Sequence, residues 1–540
     1  MRQVGSGRGA NFVTSENVVT ILALARAGAI ERAWSLACSS DVISSEDARL
    51  LSLKGRLLKD RAALAVGDVR RRLYEDAATA YARAAGEERT TYPLINAASL
   101  SLLAGNGSAA RARASEVLER IAAHPEEPET PYYLAATRAE ALLLLDREGE
   151  ARAAFAEAVA LAPEAWEDHA STLRQFALIL AEQGRDPGWL DALRPPSSLH
   201  FGGHMAFRAT RPRPALRRRI EEALAEERVH FAYGALAAGA DIIIAEAVLA
   251  RGAELHLILP GGAEAFAARS VDPLGAGWRR RFDAVLARAE TVRPVRPIGA
   301  EPDAAAIAVA DEVAMGAALM NARRLESEAV QLLVVDDADA PAGGRRRGAT
   351  ARAGSRWAEG GWRQRLIVAQ REAGSAPAEA GLYAAARRPL AMLAVGQETE
   401  DPRRLAALRT RLTEGPKAAL APYWAGGQVL IGYARPADAA LAARKLAGQG
   451  YSVGASYSVA APFADPFSGG ERLPLAATAP ASAACASAPA GSACVTEDFA
   501  AALIASAPGA PAVEPVGELD PPDAGPPIAL YALRAAPAGS

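Results

Sequence analysis

Glycines follow two apolar runs near the middle of the chain, where main-chain amides can bind a phosphate. One run ends in Gly202 and Gly203, and the next ends in Gly234, with Gly239 five residues later. Glycine lets the backbone approach a phosphate closely, and a helix that follows supplies free N–H groups and the positive end of its dipole. These residue types predict an anion site built from backbone donors.

Polar side chains lie in the same turns. His204 directly follows the first glycine pair, and we interpret it as a turn residue or as a ligand contact. After Gly239 come Ala240, whose amide can donate, and Asp241, which can cap the next helix. Glu246 lies on that helix, where it either holds a ribose hydroxyl or is a surface acid.

Strands alternate with helical segments from Ser197 to Pro260. This order predicts a parallel sheet whose ligand crevice lies beyond the carboxyl ends of the strands, at the edge where the glycines fall. The pattern is neither a G-x-G-x-x-G fingerprint nor a Walker GK[ST] motif, so dehydrogenase or P-loop chemistry is disfavoured. An alternative interpretation is that the glycines only make tight strand-to-helix turns.

The motifs GGHM and GALAAGAD…AE resemble the Rossmann-like nucleotide-sensing domains called SLOG, over roughly residues 197–370. The resemblance implies a nucleotide or ADP-ribose-like ligand, although the sequence fixes no cofactor with certainty. It assigns the site to Gly202, Gly203, His204, Gly234, Gly239, Ala240, Asp241 and Glu246. One rival hypothesis is an enzyme that hydrolyses or transfers a nucleotide sugar bond, assisted by Glu246 or Asp241. Another is a structural relic that binds no ligand.

Length, net charge and cysteine count limit the number of domains and the classes of partner. The 540 residues predict about three domains, and the net charge of −3 gives no electrostatic case for nucleic acid or an anionic membrane. Three scattered cysteines suit neither a disulfide framework nor a zinc site, and no apolar run approaches a membrane span. A cytoplasmic location is expected, with no metal site.

Residues 15–193 have the pattern of successive helices. Ala151, Phe155, Ala158 and Pro163 have the spacing of the second helix of a tetratricopeptide repeat, and looser copies lie upstream. Such pairs stack into an array. The array is predicted to hold a protein or peptide partner in its concave face or to pack as a plain scaffold. Gly28, Gly105 and Gly149 are predicted to mark the turns between helices.

Two linkers are predicted, at residues 185–198 and at roughly 372–380, which separate domains 15–193, 197–370 and 385–536. A Gly/Ala/Arg-rich stretch in the second domain contains Arg345, Arg346 and Arg347. These arginines either reach phosphates or form a solvated basic loop.

The last domain has the order β-α-β-β-α-β of a ferredoxin-like fold. AMLAVG, the turn YWAGG and the final IALYALR resemble the class III nucleotide cyclase domain, over about residues 391–534. The resemblance implies two metal-binding aspartates, but those positions fall on Gly396 and Gly426. The expected Asn/Arg pair is absent from residues 478–491. These residues lie within the Ala/Ser/Pro-rich stretch 475–493, to which we assign no structure. An alternative register would use Glu398, Glu400 or Asp401 as ligands.

The predicted fold class is therefore all-α repeats, an α/β Rossmann-like parallel sheet and an α+β ferredoxin-like, cyclase-like domain. We predict a cytoplasmic bacterial signalling or scaffold protein whose cyclase-like domain is catalytically inactive. Because family cyclase domains work as dimers, the resemblance also implies homodimerisation or pairing with an active cyclase. Neither the sensor hypothesis nor the scaffold hypothesis requires a catalytic residue, and we predict none.

Overall fold

A computed structural model describes residues 15–26, 28–86, 90–126, 130–205, 213–296, 302–336, 349–370, 387–396, 401–467, 469–506, 509, 511–520 and 527–534. The chain divides into two compact units, with the boundary between Pro195 and Pro196. We call them the repeat unit and the two-sheet unit.

The repeat unit consists of α-helices that pack mainly on their sequence neighbours. In order they are α1 (Ser15–Arg26), α2 (Ile30–Ser39), α3 (Ala48–Leu64), α4 (Gly67–Ala84), α5 (Thr91–Leu103), α6 (Gly107–Ala123), α7 (Pro131–Leu144), α8 (Glu148–Leu161) and α9 (Trp166–Glu182). A short 3-10 helix, Gly188–Leu193, follows. The predicted helical repeat region is thereby confirmed.

The buried faces of these helices follow the predicted spacing. Ala151, Phe155 and Ala158 are completely buried on α8, in a core shared with α5 to α7 and α9. The prediction that Gly149 marks a turn is wrong, because Gly149 lies in the first turn of α8. Asp146 takes the left-handed conformation there, with φ 62°. Aspartate tolerates this region better than most residues, so no glycine is required.

The first half of the two-sheet unit is a six-stranded parallel sheet with helices on both faces. Its strands are β1 (Ser197–Gly203), β2 (Val229–Gly234), β3 (Glu254–Leu259), β4 (Thr291–Pro294), β5 (Ala329–Val335) and β6 (Arg363–Val368). Its helices are α10 (Pro214–Glu226), α11 (Ala240–Ala250), α12 (Ala263–Ser270), α13 (Ala276–Leu286), α14 (Ala304–Arg324) and α15 (Ala349–Glu359). A single 3-10 turn, Asp272–Leu274, lies between α12 and α13.

The strand order is β4-β3-β2-β1-β5-β6, and every neighbouring pair is parallel. The chain therefore proceeds outward from β1 to β4 and then returns through α14 to β5, on the other side of β1. A reversal of this kind creates a topological switch point, where the loops that follow the two central strands diverge to opposite faces. That point lies at the carboxyl ends of β1 and β5.

The second half is a seven-stranded mixed sheet. Its strands are β7 (Arg388–Gly396), β8 (Leu420–Ala425), β9 (Gln428–Tyr433), β10 (Ser452–Ala460), β13 (Ala493–Thr496), β14 (Val513–Leu519) and β15 (Ile528–Leu533), in the order β14-β15-β13-β10-β7-β9-β8. A separate hairpin pairs β11 (Phe463–Ala464) with β12 (Glu471–Arg472). The helices are α16 (Pro402–Thr413), α17 (Pro436–Ala447), α18 (Leu475–Ser487) and α19 (Glu497–Ser506).

Helix α18 occupies the stretch to which the sequence assigned no structure, so that expectation is wrong. The helix packs on β7 and β10, and a Cβ added at Gly454 of β10 would lie 2.1 Å from the Ala481 carbonyl oxygen. Alanine has a high helix propensity, and burial of Ala481, Ala484 and Cys485 against the sheet stabilises the helix. The alanine-rich composition of α18 is explained by its close packing on β10, which only small side chains allow.

Helix α14 lies between the two sheets and contributes to the core of both. Its residues Val309, Ala310, Val313 and Ala314 share one buried cluster with strands β7, β9 and β10 and with helix α19. The same helix contacts β1, β2, β3 and β5 of the parallel sheet. A Cβ added at Gly316 would lie 1.9 Å from the carbonyl oxygen of Ala501 on α19, so this glycine permits backbone-to-backbone packing.

Polar contacts join the sheets beside α14. The Tyr457 hydroxyl of β10 donates to Glu312 Oε2 at 2.7 Å, and Arg356 of α15 forms an ion pair with the same carboxylate. Arg293 of β4 pairs with Asp498 on α19. The two predicted domains thus share buried and polar contacts, while the linker predicted at 372–380 lies outside the described residues.

Among the described helices, α14 alone has the length and hydropathy that a membrane span requires. Those two properties do not distinguish a span from the core helix of a globular domain. Its apolar window is 61% buried within the protein, where it packs between two sheets.

Candidate ligand site at the edge of the parallel sheet

The two glycines at the end of β1 lie beside β5 at the switch point. Gly202 and Gly203 are opposite Leu333 and Val334 in the parallel register. A Cβ added at Gly203 would lie 2.3 Å from the Ala240 Cβ and 2.9 Å from the Val334 carbonyl oxygen. Gly203 is therefore required by the close approach of helix α11 to the strand end.

Gly239 immediately precedes α11 and has φ 123° and ψ −125°, a conformation that is essentially restricted to glycine. A Cβ there would lie 2.8 Å from the His204 carbonyl oxygen and 3.0 Å from the Met205 Cα. The Ala240 N–H donates to the same His204 carbonyl at 3.3 Å. The loop after β1 is thus packed directly on the amino end of α11.

Gly234 ends β2 and lies against Phe201. A Cβ at this position would be 2.7 Å from the Phe201 carbonyl oxygen and 2.8 Å from its ring. Contacts within the protein therefore account for Gly203, Gly234 and Gly239, whereas an added Cβ at Gly202 would make only an ordinary contact of 3.6 Å. The structure brings all four glycines to one edge of the sheet.

The amino end of α11 retains main-chain donors. Within the described part of the chain, the N–H groups of Asp241 and Ile242 have no acceptor. The first amides of any helix lack intrahelical partners, and they carry the positive end of the helix dipole. These donors lie beside the Gly203 end of β1, as an anion site requires.

Asp241 is the most unusual side chain of this edge. It is 6% exposed, and its Oδ2 accepts the Ala237 N–H at 3.1 Å. Its Oδ1 is buried and makes no hydrogen bond of normal geometry with any described residue. Burial raises the pKa of Asp241 to about 8, the Ala237 and Gly203 amides oppose that rise, and the charge of Asp311 adds to it.

A second polar group lies behind the strand end. His200 of β1 is 1% exposed, and its Nδ1 lies 3.0 Å from Gln331 Nε2, so Gln331 donates to the ring. The His200 Nε2 is then the protonated nitrogen and lies 3.4 Å from Asp311 Oδ1 on α14. Its ring stacks on Trp357 with 5.8 Å between centroids. Gln331 and Trp357 thereby fix the orientation of the imidazole.

The His204 side chain is buried and bridges the ends of two strands. Its Nε2 lies 2.8 Å from the Ala369 carbonyl oxygen after β6, and its Nδ1 lies 2.9 Å from the Met205 carbonyl oxygen. A neutral imidazole can donate only one of these bonds. His204 therefore stabilises the loop after β1, and these two contacts leave neither ring nitrogen directed at solvent.

Glu246 is not brought to the sheet edge. It lies roughly 9 Å along α11 from Ala240, at 1.5 Å per residue. Both of its carboxylate oxygens accept from Arg281 of α13 at 2.7 Å, and this guanidinium also stacks on Trp278. The interpretation of Glu246 as a structural acid accounts for these contacts without a ligand.

Sequence reasoning missed two features of this edge. Asp311 and His200 belong to a helix and a strand far apart in sequence, so no local motif joins them. Gly261 and Gly262, both buried, come just after β3, whereas Gly202 and Gly203 are the last residues of β1. This third glycine pair was visible in the sequence, directly after the apolar run that ends in Pro260.

The cyclase-like metal positions hold no carboxylate. Gly396 ends β7, and an added Cβ would lie 3.3 Å from Cys485 Sγ of α18. Gly426 and Gly427, at φ 58° and 76°, form the two-residue turn between β8 and β9. Asp401 caps α16 by accepting the Arg403 N–H at 2.9 Å, while Glu398 and Glu400 lie outside the described residues.

No group of three or more His, Cys, Asp or Glu side chains among the described residues is arranged to hold a metal ion. The predicted arginine cluster Arg345, Arg346 and Arg347 lies outside the described residues.

Comparison with known proteins gives one family match. Residues 11–101 match the family described as TPR-S, Tetratricopeptide Repeats-Sensor. The match covers helices α1 to α5 of the repeat unit, which is under a fifth of the chain. A search of curated proteins gives no match.

Several solved structures are similar to part of the chain, and three of them each cover 28% of it. They are the adenylyl cyclase CyaB from P. aeruginosa (12% identity, 95% of that chain, TM-score 0.22), adenylate cyclases from Trypanosoma brucei in their monomeric state (14%, 90%, 0.23) and the guanylyl cyclase Cya2 (12%, 95%, 0.22).

Proposed function

We propose that this is a signalling protein that binds a nucleotide-derived ligand where β1 and β5 meet, through the amino end of α11. The observation that carries the proposal is the reversal of strand order at β1, directly beside Gly202 and Gly203. Open parallel sheets bind ligands at such a point because the two loops diverge there and leave a crevice. The N–H groups of Asp241 and Ile242, which have no acceptor among the described residues, supply donors for a phosphate.

The repeat unit supplies the second proposed activity. The match to tetratricopeptide sensor repeats supports a role in holding a protein or peptide partner. In this proposal, ligand binding to the two-sheet unit and partner binding to the repeats are the two inputs of one signalling protein. By analogy with the cyclase resemblance, we also propose that the protein dimerises through its seven-stranded sheet.

The ligand proposal predicts measurable nucleotide affinity. Calorimetric titration of the full-length chain with AMP, ADP, cyclic AMP and ADP-ribose is expected to give a dissociation constant on the order of micromolar for at least one of them. Gly239→Ala should weaken that binding by at least about tenfold, because the added methyl displaces the His204–Met205 backbone from the amino end of α11.

A matched control is available at the other end of the same helix. Gly252 also has a positive φ, 73°, but an added Cβ would contact nothing within 4 Å. Gly252→Ala also places a side chain at a positive φ but creates no steric clash, so its nucleotide affinity should equal that of the unmodified chain. Equal loss in both variants, or no binding by any nucleotide, would leave a scaffold whose glycines serve packing alone.

We further propose that the cyclase-like region is catalytically silent, because glycine stands at both positions that the resemblance assigns to metal-binding aspartates. Full-length protein incubated with ATP or GTP and either Mg²⁺ or Mn²⁺ should form no cyclic nucleotide above the rate of a boiled sample. Formation of cyclic AMP or cyclic GMP, detected by mass spectrometry, would contradict this and require another ligand set.

One observation favours a second candidate function, an enzyme that acts on a nucleotide. Asp241 is a buried carboxyl near two glycine turns, with its pKa raised to about 8. Carboxyls with raised pKa values in a crevice are typical of general acids. Release of base or sugar from a bound nucleotide, abolished in Asp241→Ala, would distinguish this candidate from the sensor.

A further inference from the structure

At the amino end of α11, two amides and one oxygen of the Asp241 carboxyl have no hydrogen-bond partner of normal geometry among the described residues. Asp241 Oδ2 accepts the Ala237 N–H, whereas the buried Oδ1 makes no hydrogen bond of normal geometry with the described residues, although the Gly203 amide acts on the same carboxyl. Buried polar atoms without a partner are rare in proteins, and they indicate a missing proton, water or ligand. Oδ1 therefore marks a position where a bound group is expected.

The charge state of this carboxyl decides which group can bind there. An ionised Asp241 would place a negative charge beside the helix amides and repel a phosphate. A neutral Asp241 instead carries a hydrogen on Oδ1 and becomes one more donor beside the amides of Asp241 and Ile242. The surroundings favour the neutral form, because the carboxyl is buried and Asp311 lies within electrostatic range.

We infer that Asp241 contacts the phosphate of the ligand as a neutral carboxylic acid, donating a hydrogen bond from Oδ1. This assignment rests on the proposed nucleotide site and names the part of the ligand that lies there. It makes Asp241 a specificity-determining residue, selecting a phosphate oxygen or another acceptor over a group that can only donate. An acid at the start of a helix usually acts as an ionised cap, so this role is the reverse of the ordinary one.

Within the described residues, Arg281 and Arg217, on the helices that contact α11, have partners other than Asp241. Arg281 of α13 is engaged by Glu246, and Arg217 of α10 pairs with Glu221 of its own helix. On β1, His200 directs Nε2 to Asp311, and the ring of His204, just past the strand, contacts two carbonyl oxygens.

Strands β2 and β3, which also pack on α11, carry further ionisable groups. Tyr233 and His256 stack on each other, and His256 Nε2 lies 3.5 Å from Glu254. None of these groups appears among the electrostatic influences on the Asp241 carboxyl, where Asp311 is the charged group that acts.

Titration of ADP-ribose into the full-length protein tests this inference. The pyrophosphate of ADP-ribose has no titrating proton between pH about 6.5 and about 9, so a pH effect in this range belongs to the protein. If ADP-ribose binds only to protein in which Asp241 is neutral, its dissociation constant should rise about tenfold from pH about 6.5 to about 9, because the fraction of neutral Asp241 falls by that factor. Asp241→Asn, whose amide donates without titrating, should bind about as tightly as the unmodified chain at low pH and should show no such rise.

Asp311→Asn is the companion variant, because removing that charge should shift the midpoint of the pH effect downward while leaving low-pH affinity unchanged. Loss of binding in Asp241→Asn at every pH would overturn the inference and assign an ionised acceptor to this position. Binding that is independent of pH in the unmodified chain would also overturn it, while leaving the nucleotide site standing. Absence of any binding by ADP-ribose or the other nucleotides at all pH values would contradict the site itself.

Discussion

Gly316→Val is expected to separate the packing of the two sheets and to destabilise the two-sheet unit by about 3 kcal/mol or more. The added Cβ would lie 1.9 Å from the Ala501 carbonyl oxygen and 2.2 Å from its carbonyl carbon. Backbone atoms cannot rotate away as a flexible side chain can, so α14 and α19 must move apart. That movement opens the shared cluster around Val309 and Val313.

The measurement is the urea concentration at the midpoint of unfolding, monitored by hydrogen exchange of the amides in α14 and α19. Gly149→Val is the control, because Gly149 is also helical and an added Cβ there contacts nothing within 4 Å. The control should change stability by less than about 1 kcal/mol, since only helix propensity differs. A midpoint for Gly316→Val that equals the control would contradict the close packing of α14 on α19.

Asp241→Asn is expected to stabilise the two-sheet unit at pH 8 while changing little at pH 4. The folded protein holds the pKa of Asp241 at about 8, above its ordinary value of 3.8, because the carboxyl is buried. Below the ordinary value both folded and unfolded chains are protonated, and the stability of the protonated form is fully present. As pH rises, the unfolded chain ionises first, so stability is lost progressively until the folded carboxyl also ionises near pH 8.

Asparagine retains an acceptor for the Ala237 N–H and does not titrate, so the variant escapes this loss. Its advantage should grow by up to about 1.4 kcal/mol per pH unit and reach roughly 5 kcal/mol at pH 8. Chemical unfolding at several pH values, monitored by exchange of the α11 amides, measures the difference. The prediction requires that burial keeps Asp241 protonated between pH 4 and pH 8 in the folded protein. If the free energy of unfolding has the same pH dependence in the unmodified chain and in Asp241→Asn, the prediction is wrong. Asp186→Asn, on the exposed loop before Gly188, is a control that should change neither curve.

The amino-acid sequence by itself determined the local elements and their order. Short apolar runs ended by glycine or proline predicted the strands β1, β2 and β3, and the spacing of Ala151, Phe155 and Ala158 predicted a helix with one buried face. Glycine after each strand was sufficient to place the first turns of the candidate site on one edge, because parallel strands end together. These features follow from short-range periodicity and backbone preference.

Only the tertiary structure decided how those elements combine. Asp311 and His200 meet 3.4 Å apart although they are separated by more than a hundred residues, and Glu246 is removed from the site by Arg281. Residues 475–487 form a helix because a strand with Gly454 offers a close surface. Likewise α14 joins two sheets because Gly316 admits a neighbouring backbone. Such contacts join residues that are distant in sequence and bury them. Burial of this kind raises the pKa of Asp241 and makes the alanine-rich residues 475–487 helical.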